Sequence, residues 1–167
     1  MNENDFIAEY NAIFERSIIF STISHSMGLV SLENILDKKK YSQRDIFEYG
    51  MRLVLDGRPP EFIDKILSNI INLETEKEKI ILKKIQKDVV LSMQQGIAPE
   101  QIMWIMNSYV NIELDEAAEK YKEIHEYITK EMTNLYEINK YQEKITDSYK
   151  AISEKIFNIY YKIEKNN

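Results

Sequence analysis

The chain has 167 residues, of which 22 are basic and 28 acidic, so its formal net charge is −6. Because it contains no cysteine, disulfides, thiolate catalysis and cysteine-based zinc sites are excluded, and an acidic chain without a basic block is a poor nucleic-acid binder. Only four glycines and three prolines occur, all before residue 100, whereas sandwiches, barrels and α/β folds need turn residues throughout, so we predict an all-α protein.

The N-terminal residues carry no targeting signal that we recognise. Residues 1–5 are acidic where a signal peptide is basic. The most apolar stretch, residues 17–32, is interrupted by serine, threonine and histidine and falls short of the roughly 20 apolar residues that span a membrane. We therefore expect a cytoplasmic protein with no direct membrane insertion.

A first helix is predicted from about Asn4 to Leu36, with apolar and small residues at the spacing of one buried face. Gly28 falls inside this range. Lysines 38–40 follow the predicted C-terminus of this helix, where the helix dipole favours cations. A second helix is predicted from Gln43 to Leu55, with Ser42 as its N-cap.

Residues 56–60 (DGRPP) predict a turn, because Gly57 can adopt positive φ and two prolines permit a new helix but no continuation. A third helix is predicted from Glu61, and the sequence leaves open whether it runs on into residues 80–91 or breaks in the charged patch 74–79. Residues 95–99 (QGIAP) form the second predicted turn. The last helical region is predicted to begin at Glu100.

The two predicted turns are related by an offset of 39 residues. Aligning Gly57 with Gly96 gives seven identities in the 18 positions from 57 to 74. This pattern predicts a duplicated helix–turn–helix unit, at about residues 50–78 and 89–117. The alternative is that both segments are independent helix starts, each with proline near its first turn and glutamate in it.

A heptad pattern fills the C-terminal third. Alternating steps of three and four from Leu114 to Ile163 place apolar or aromatic residues at 13 of 15 positions. We predict a helical domain at residues 1–112 and a long coiled-coil tail at 113–167, with a hairpin turning near Asn134 or Asn139 as the alternative. The residues predicted to support homo-oligomerisation are Leu135, Ile138, Gln142, Ile145, Tyr149, Ile152, Ile156 and Ile159.

The sequence shows no catalytic pattern. It contains two histidines, no Ser–His–acid constellation and no phosphate-binding glycine loop. We therefore expect a non-enzymatic protein with no cofactor and no metal. Trp104 lies among apolar residues and is expected in the core, with a partner-binding hot spot as the alternative.

Two segments resemble the cytoplasmic domain of the MotA-type flagellar stator family. They are residues 25–33 (HSMGLVSLE) and residues 49–57 (YGMRLVLDG), the latter followed by Pro60 and Glu61. The resemblance covers about residues 15–78, under half of the chain. Family members carry transmembrane helices before and after this domain, and this sequence shows none.

The resemblance implies a protein of the bacterial flagellar motor that binds rotor or stator proteins. In the family, an arginine and a glutamate of this segment pair with charged residues of the rotor-ring protein FliG. Glu33 keeps the acid, whereas His25 stands at the arginine position and is largely neutral at pH 7. With Arg52, Asp56 and Arg58 they form the predicted partner-binding set. The alternative function is a general coiled-coil scaffold or assembly factor unrelated to motility.

Overall fold

A computed structural model describes residues 1–36 and 45–140. Over these residues the protein is all-α, as predicted, with no strand. A short 3-10 helix, Leu29–Asn34, follows the first α-helix. The α-helices are α1 (Glu3–Met27), α2 (Ile46–Leu55), α3 (Pro60–Ile71), α4 (Lys77–Gln94), α5 (Pro99–Asn107) and α6 (Leu114–Lys140).

Helix α1 is shorter than predicted. The Asn2 side chain caps it by accepting a hydrogen bond from the Asp5 N–H at 2.9 Å. It ends at Met27 because Gly28 adopts φ +83°, outside the helical range, while the Gly28 N–H still donates to the Ser24 carbonyl. The predicted continuation to Leu36 is therefore wrong, and the chain turns into the 3-10 helix instead.

The start of α2 differs from its prediction, and the break between α3 and α4 decides between two alternatives. Helix α2 begins at Ile46, because extended Asp45 is the N-cap and its carboxylate accepts from the Glu48 N–H at 3.1 Å. The predicted cap at Ser42 is wrong, and that residue lies outside the described ranges. Helices α3 and α4 are separate, so the break in the charged patch is the alternative that holds.

The two turns have the same backbone hydrogen bonds at an offset of 39 residues. Each preceding helix ends on a glycine in the left-handed region, in the pattern of a Schellman motif. In the first turn, the N–H groups of Arg58 and Gly57 donate to the carbonyls of Leu53 and Val54, respectively. In the second turn, the N–H groups of Ile97 and Gly96 donate to the carbonyls of Ser92 and Met93. A proline then begins the next helix in both units. The two units thus share a turn structure, which both the duplication and two independent helix starts predict, so the duplication stays a prediction.

Cross-helix contacts give the directions of the helices around α4. The Met1 amino group lies 3.8 Å from Glu76 and Arg16 hydrogen-bonds Gln86, so α1 and α4 run in the same direction. Helix α2 also follows α4, because the Phe47 N–H lies against Gln86 and the Arg58 carbonyl accepts from Gln94. Helix α1 packs against α4, α5 and α6, and the core surrounds it.

Three of these helices meet at Arg16. Its guanidinium donates to the Asp45 carboxylate at 2.6 Å and to the Gln86 side-chain oxygen at 2.9 Å. The same guanidinium lies 4.6 Å from the centre of the Phe47 ring. One side chain of α1 thereby fixes both the start of α2 and the middle of α4.

The predicted helical region from Glu100 is divided into α5 and α6, and α6 begins at Leu114, where the heptad pattern starts, and packs along α1 in the same direction. Lys120 lies 3.1 Å from Glu15 of α1, and Ala117, Ile128 and Leu135 are buried. Because α6 is continuous to Lys140, a hairpin turn near Asn134 is wrong, whereas a turn near Asn139 reaches residues outside the described ranges and stays a prediction. Leu135, a predicted oligomerisation residue, belongs to the core of its own chain. Ile138 lies in α6 with its side chain undescribed, and Gln142, Ile145, Tyr149, Ile152, Ile156 and Ile159 lie outside the described residues.

Candidate functional site: one end of the helix bundle

The residues predicted to bind a partner lie where α1, α2 and α4 end. These three helices run in the same direction from the level of Arg16, Asp45 and Gln86. Their C-terminal ends therefore lie at one end of the bundle. We call this surface the helix-end face; it consists of His25, Glu33, Asp56 and Arg58 with the glycine turns that follow the helices.

The helix-end face presents charges of both signs to solvent. His25 lies in the last turn of α1, Glu33 lies in the 3-10 helix, and Asp56 and Arg58 belong to the turn after α2; all four are exposed. Arg52 differs, because it is half-buried within α2 and its carbonyl accepts from the Asp56 N–H at 2.8 Å. The structure therefore brings four of the five predicted residues to the exposed surface and holds the fifth beneath them.

The backbone adds negative potential at this end. Each helix C-terminus carries a partial charge of about −0.5, and three C-termini lie together here. Glu33 and Asp56 add full negative charges, which Arg58 offsets in part. A partner with clustered cations and at least one carboxylate complements such a surface.

The turns of the helix-end face are fixed rather than loose. The Gln94 side-chain amide, at the end of α4, donates to the Arg58 carbonyl at 2.8 Å. This bond joins the turn after α2 to the end of α4, in addition to the Schellman bonds within each turn. The charges of Asp56 and Arg58 are thus carried on a backbone with little freedom to rearrange, which lowers the entropic cost of binding.

The described residues also contain two histidines, His25 on the helix-end face and His125 on α6. Across residues 1–36 and 45–140, no group of three or more histidine, aspartate or glutamate side chains is arranged to hold a metal ion. His125 instead lies in a helix contact, with its Nδ1 atom 3.2 Å from the Thr22 hydroxyl and its ring stacked on Tyr121. None of the helices in this part of the chain has the length and apolar character needed to span a membrane.

Trp104 lies on the surface of α5 and not in the core. The expected core position is wrong, because the Trp104 side chain is 55% exposed on α5. Its neighbours Ile102, Met103 and Met106 are the buried residues of that helix. All positions from 102 to 106 are apolar, so the sequence offered no signal for which of them faces solvent.

Sequence reasoning also missed the contact centred on Arg16. Its partners Asp45 and Gln86 lie 29 and 70 positions away, and no local motif connects them.

Comparisons of the chain with family models, with curated proteins and with solved structures found no match.

Proposed function

We propose that this protein is a non-enzymatic adaptor of the bacterial flagellar motor. It binds a rotor or stator protein on the cytoplasmic side through the helix-end face and self-associates through its C-terminal helix. The observation that carries this proposal is the shared location of His25, Glu33, Asp56 and Arg58, which are exposed at one end of the bundle. Three of these residues, His25, Glu33 and Asp56, belong to the two segments that resemble the cytoplasmic domain of the stator family.

Avidity is the physical reason for joining these two properties in one chain. Exposed ion pairs each contribute only about 0–1 kcal/mol, so a few such contacts bind weakly. Several copies held together multiply the effective affinity without any new contact. The heptad pattern that continues from α6 to Ile163 supplies the apolar surface for a coiled coil between copies.

The second candidate function is a general coiled-coil scaffold unrelated to motility. It is favoured by the extent of the heptad pattern, which covers about a third of the chain and is independent of the stator resemblance. The two candidates differ in the helix-end face, which only the motor adaptor requires for binding.

A charge swap on the helix-end face separates the two candidates. We expect Glu33→Lys together with Arg58→Glu to abolish binding to FliG from the same organism, measured by titration calorimetry at low ionic strength. Both side chains are exposed, so circular dichroism of the variant should match that of the wild type. The swap leaves the net charge at −6, which removes any general charge effect.

The matched control is the swap Lys122→Glu with Glu126→Lys on the outer surface of α6. These two residues form an exposed ion pair at 3.9 Å, and the swap preserves both the pairing and the net charge. FliG binding should persist in this control and weaken with added salt. Binding that survives the Glu33 and Arg58 swap, or no binding by the wild type, would contradict the motor function and favour the scaffold.

A further inference from the structure

A second surface lies between α5 and α6. The loop 108–113 reverses the chain, so the two helices run in opposite directions with the start of α5 beside the second turn of α6. Glu100 and Tyr121 face each other across this junction. Burial, and then the nearby Glu100 carboxylate, raise the pKa of the Tyr121 phenol above its ordinary value.

The junction carries an apolar strip that is open to solvent. Trp104 lies one helical turn after Glu100 and is 55% exposed, and Leu114 at the start of α6 is 51% exposed. Ala118 and Tyr121 follow Leu114 at spacings of four and seven residues, which places them on the same face of α6. We call this surface, from Glu100 and Trp104 on α5 to Leu114, Ala118 and Tyr121 on α6, the α5–α6 groove.

The charge around the groove is mainly negative. Between Asp88 and Lys120 the sequence contains five carboxylates and no lysine, arginine or histidine. All five are exposed: Glu100, Glu113, Asp115, Glu116 and Glu119. Carboxylates therefore outnumber cations along the apolar strip, where the exposed Lys122 lies one turn after Ala118 and pairs with Glu126 at 3.9 Å.

We propose that the α5–α6 groove is a docking site for a cationic amphipathic helix of another protein. The apolar face of such a helix covers Trp104 and Leu114, while its lysines and arginines pair with the carboxylates at the borders. An acidic partner is repelled by the same carboxylates. Trp104 has the position of an anchor, because a large aromatic side chain at the centre of a groove contributes most to binding.

The single tryptophan makes this site directly measurable. Trp104 is the only tryptophan of the chain, so emission excited at wavelengths that the 11 tyrosines do not absorb reports on the groove alone. The probe is a tryptophan-free helical peptide with leucines on one face and lysines elsewhere, titrated into the full-length protein. We expect a saturable blue shift that weakens with added salt. The same peptide with glutamates in place of the lysines is expected to give no shift.

Two variants distinguish binding at the groove from nonspecific hydrophobic binding. Leu114→Ser is expected to weaken binding of the lysine peptide about tenfold, because it removes an exposed apolar side chain from the strip. The matched control is Leu73→Ser after α3, where the side chain is 83% exposed and outside the groove; it should leave binding unchanged. Circular dichroism checks the fold of both variants.

Three outcomes would overturn the proposal. The first is the absence of a saturable shift with the lysine peptide, and the second is equal binding of the glutamate peptide. The third is a blue shift that develops with protein concentration alone, because a second copy of this chain would then be the occupant of the groove. None of these outcomes depends on FliG, so the two proposals fail separately.

Discussion

Gly50 is the residue that lets α2 approach α3 and α4. A Cβ atom at this position would lie 2.9 Å from one Val90 methyl group and 3.0 Å from a Leu67 methyl group. Both distances are shorter than ordinary van der Waals contacts, and a branched valine has little freedom to move aside. The absence of a side chain at Gly50 therefore sets the distance between these helices.

We predict that Gly50→Ala lowers the free energy of unfolding by about 1–3 kcal/mol, as overpacked cores do. Urea unfolding checks the change. Adding Val90→Ala removes the clashing methyl groups, so the double variant should lose less stability than the sum of the two single variants. A Gly50→Ala protein more stable than the wild type would show that helix propensity outweighs the close contact, against this account.

Tyr10 buries a hydroxyl group within the core. Its side chain is 2% exposed, burial raises its pKa to about 12, and its hydroxyl has no hydrogen-bond partner among the described residues. We predict that Tyr10→Phe leaves the free energy of unfolding unchanged or raises it by up to about 1 kcal/mol, because it removes an unsatisfied polar group without changing the ring. Thermal unfolding measures this. A clear loss of stability would mean that the hydroxyl is satisfied after all.

At the residue scale, the sequence predicted exposed charges better than apolar positions. Glu33, Asp56 and Arg58 are charged and lie in or beside turns, so their exposure follows from composition. Trp104 could not be assigned, because it stands within five consecutive apolar residues and only the packing of α5 on α1, α4 and α6 selects its buried face.

At the element scale, the segment between α3 and α4 depends on Glu74. Its carboxylate accepts from the Lys83 ammonium group at 2.9 Å and from the N–H groups of Thr75 and Glu76. These hydrogen bonds, the one from Lys83 first, lower the pKa of Glu74 from 4.5 to about 2. Stabilisation from this lowered pKa is present above pH 4.5 and is lost as the pH falls toward 2.

We predict that Glu74→Gln makes the protein less stable at pH 7 and that the difference from the wild type shrinks between pH 4.5 and 2. Chemical unfolding at several pH values measures that difference. Glu113→Gln is the control, because Glu113 occupies the repeat-equivalent position and is exposed. A Glu74→Gln difference that stays constant across this pH range would contradict the hydrogen-bonded role of the carboxylate.

Element boundaries were predictable where a turn residue and the apolar pattern changed together. Gly57 and Gly96, each followed three positions later by a proline, marked both helix–turn–helix units. The end of α1 was missed, because the apolar pattern continues past Gly28 into the 3-10 helix. The start of α2 was missed because both Ser42 and Asp45 are good caps, and a local pattern does not choose between them.

At the scale of the whole molecule, the sequence predicted the class of fold but not its arrangement. Arg16, Asp45 and Gln86 come together only in the folded chain, and they fix the common direction of α1, α2 and α4. Because of that common direction, the residues of the helix-end face lie together at one end of the bundle. The first part of the tail was expected as a separate coiled coil, whereas α6 buries Ala117, Ile128 and Leu135 against its own chain.

Self-association is the property on which the adaptor proposal depends most, because weak charged contacts need several linked copies. Since α6 buries the heptad residues Ala117, Ile128 and Leu135 within the chain, we assign association to the heptad positions beyond Leu135. The most direct measurement is the solution mass by light scattering, for the full chain and for Ile152→Lys with Ile156→Lys. We predict an oligomeric wild type and a folded, monomeric variant. A monomeric wild type would contradict the avidity model.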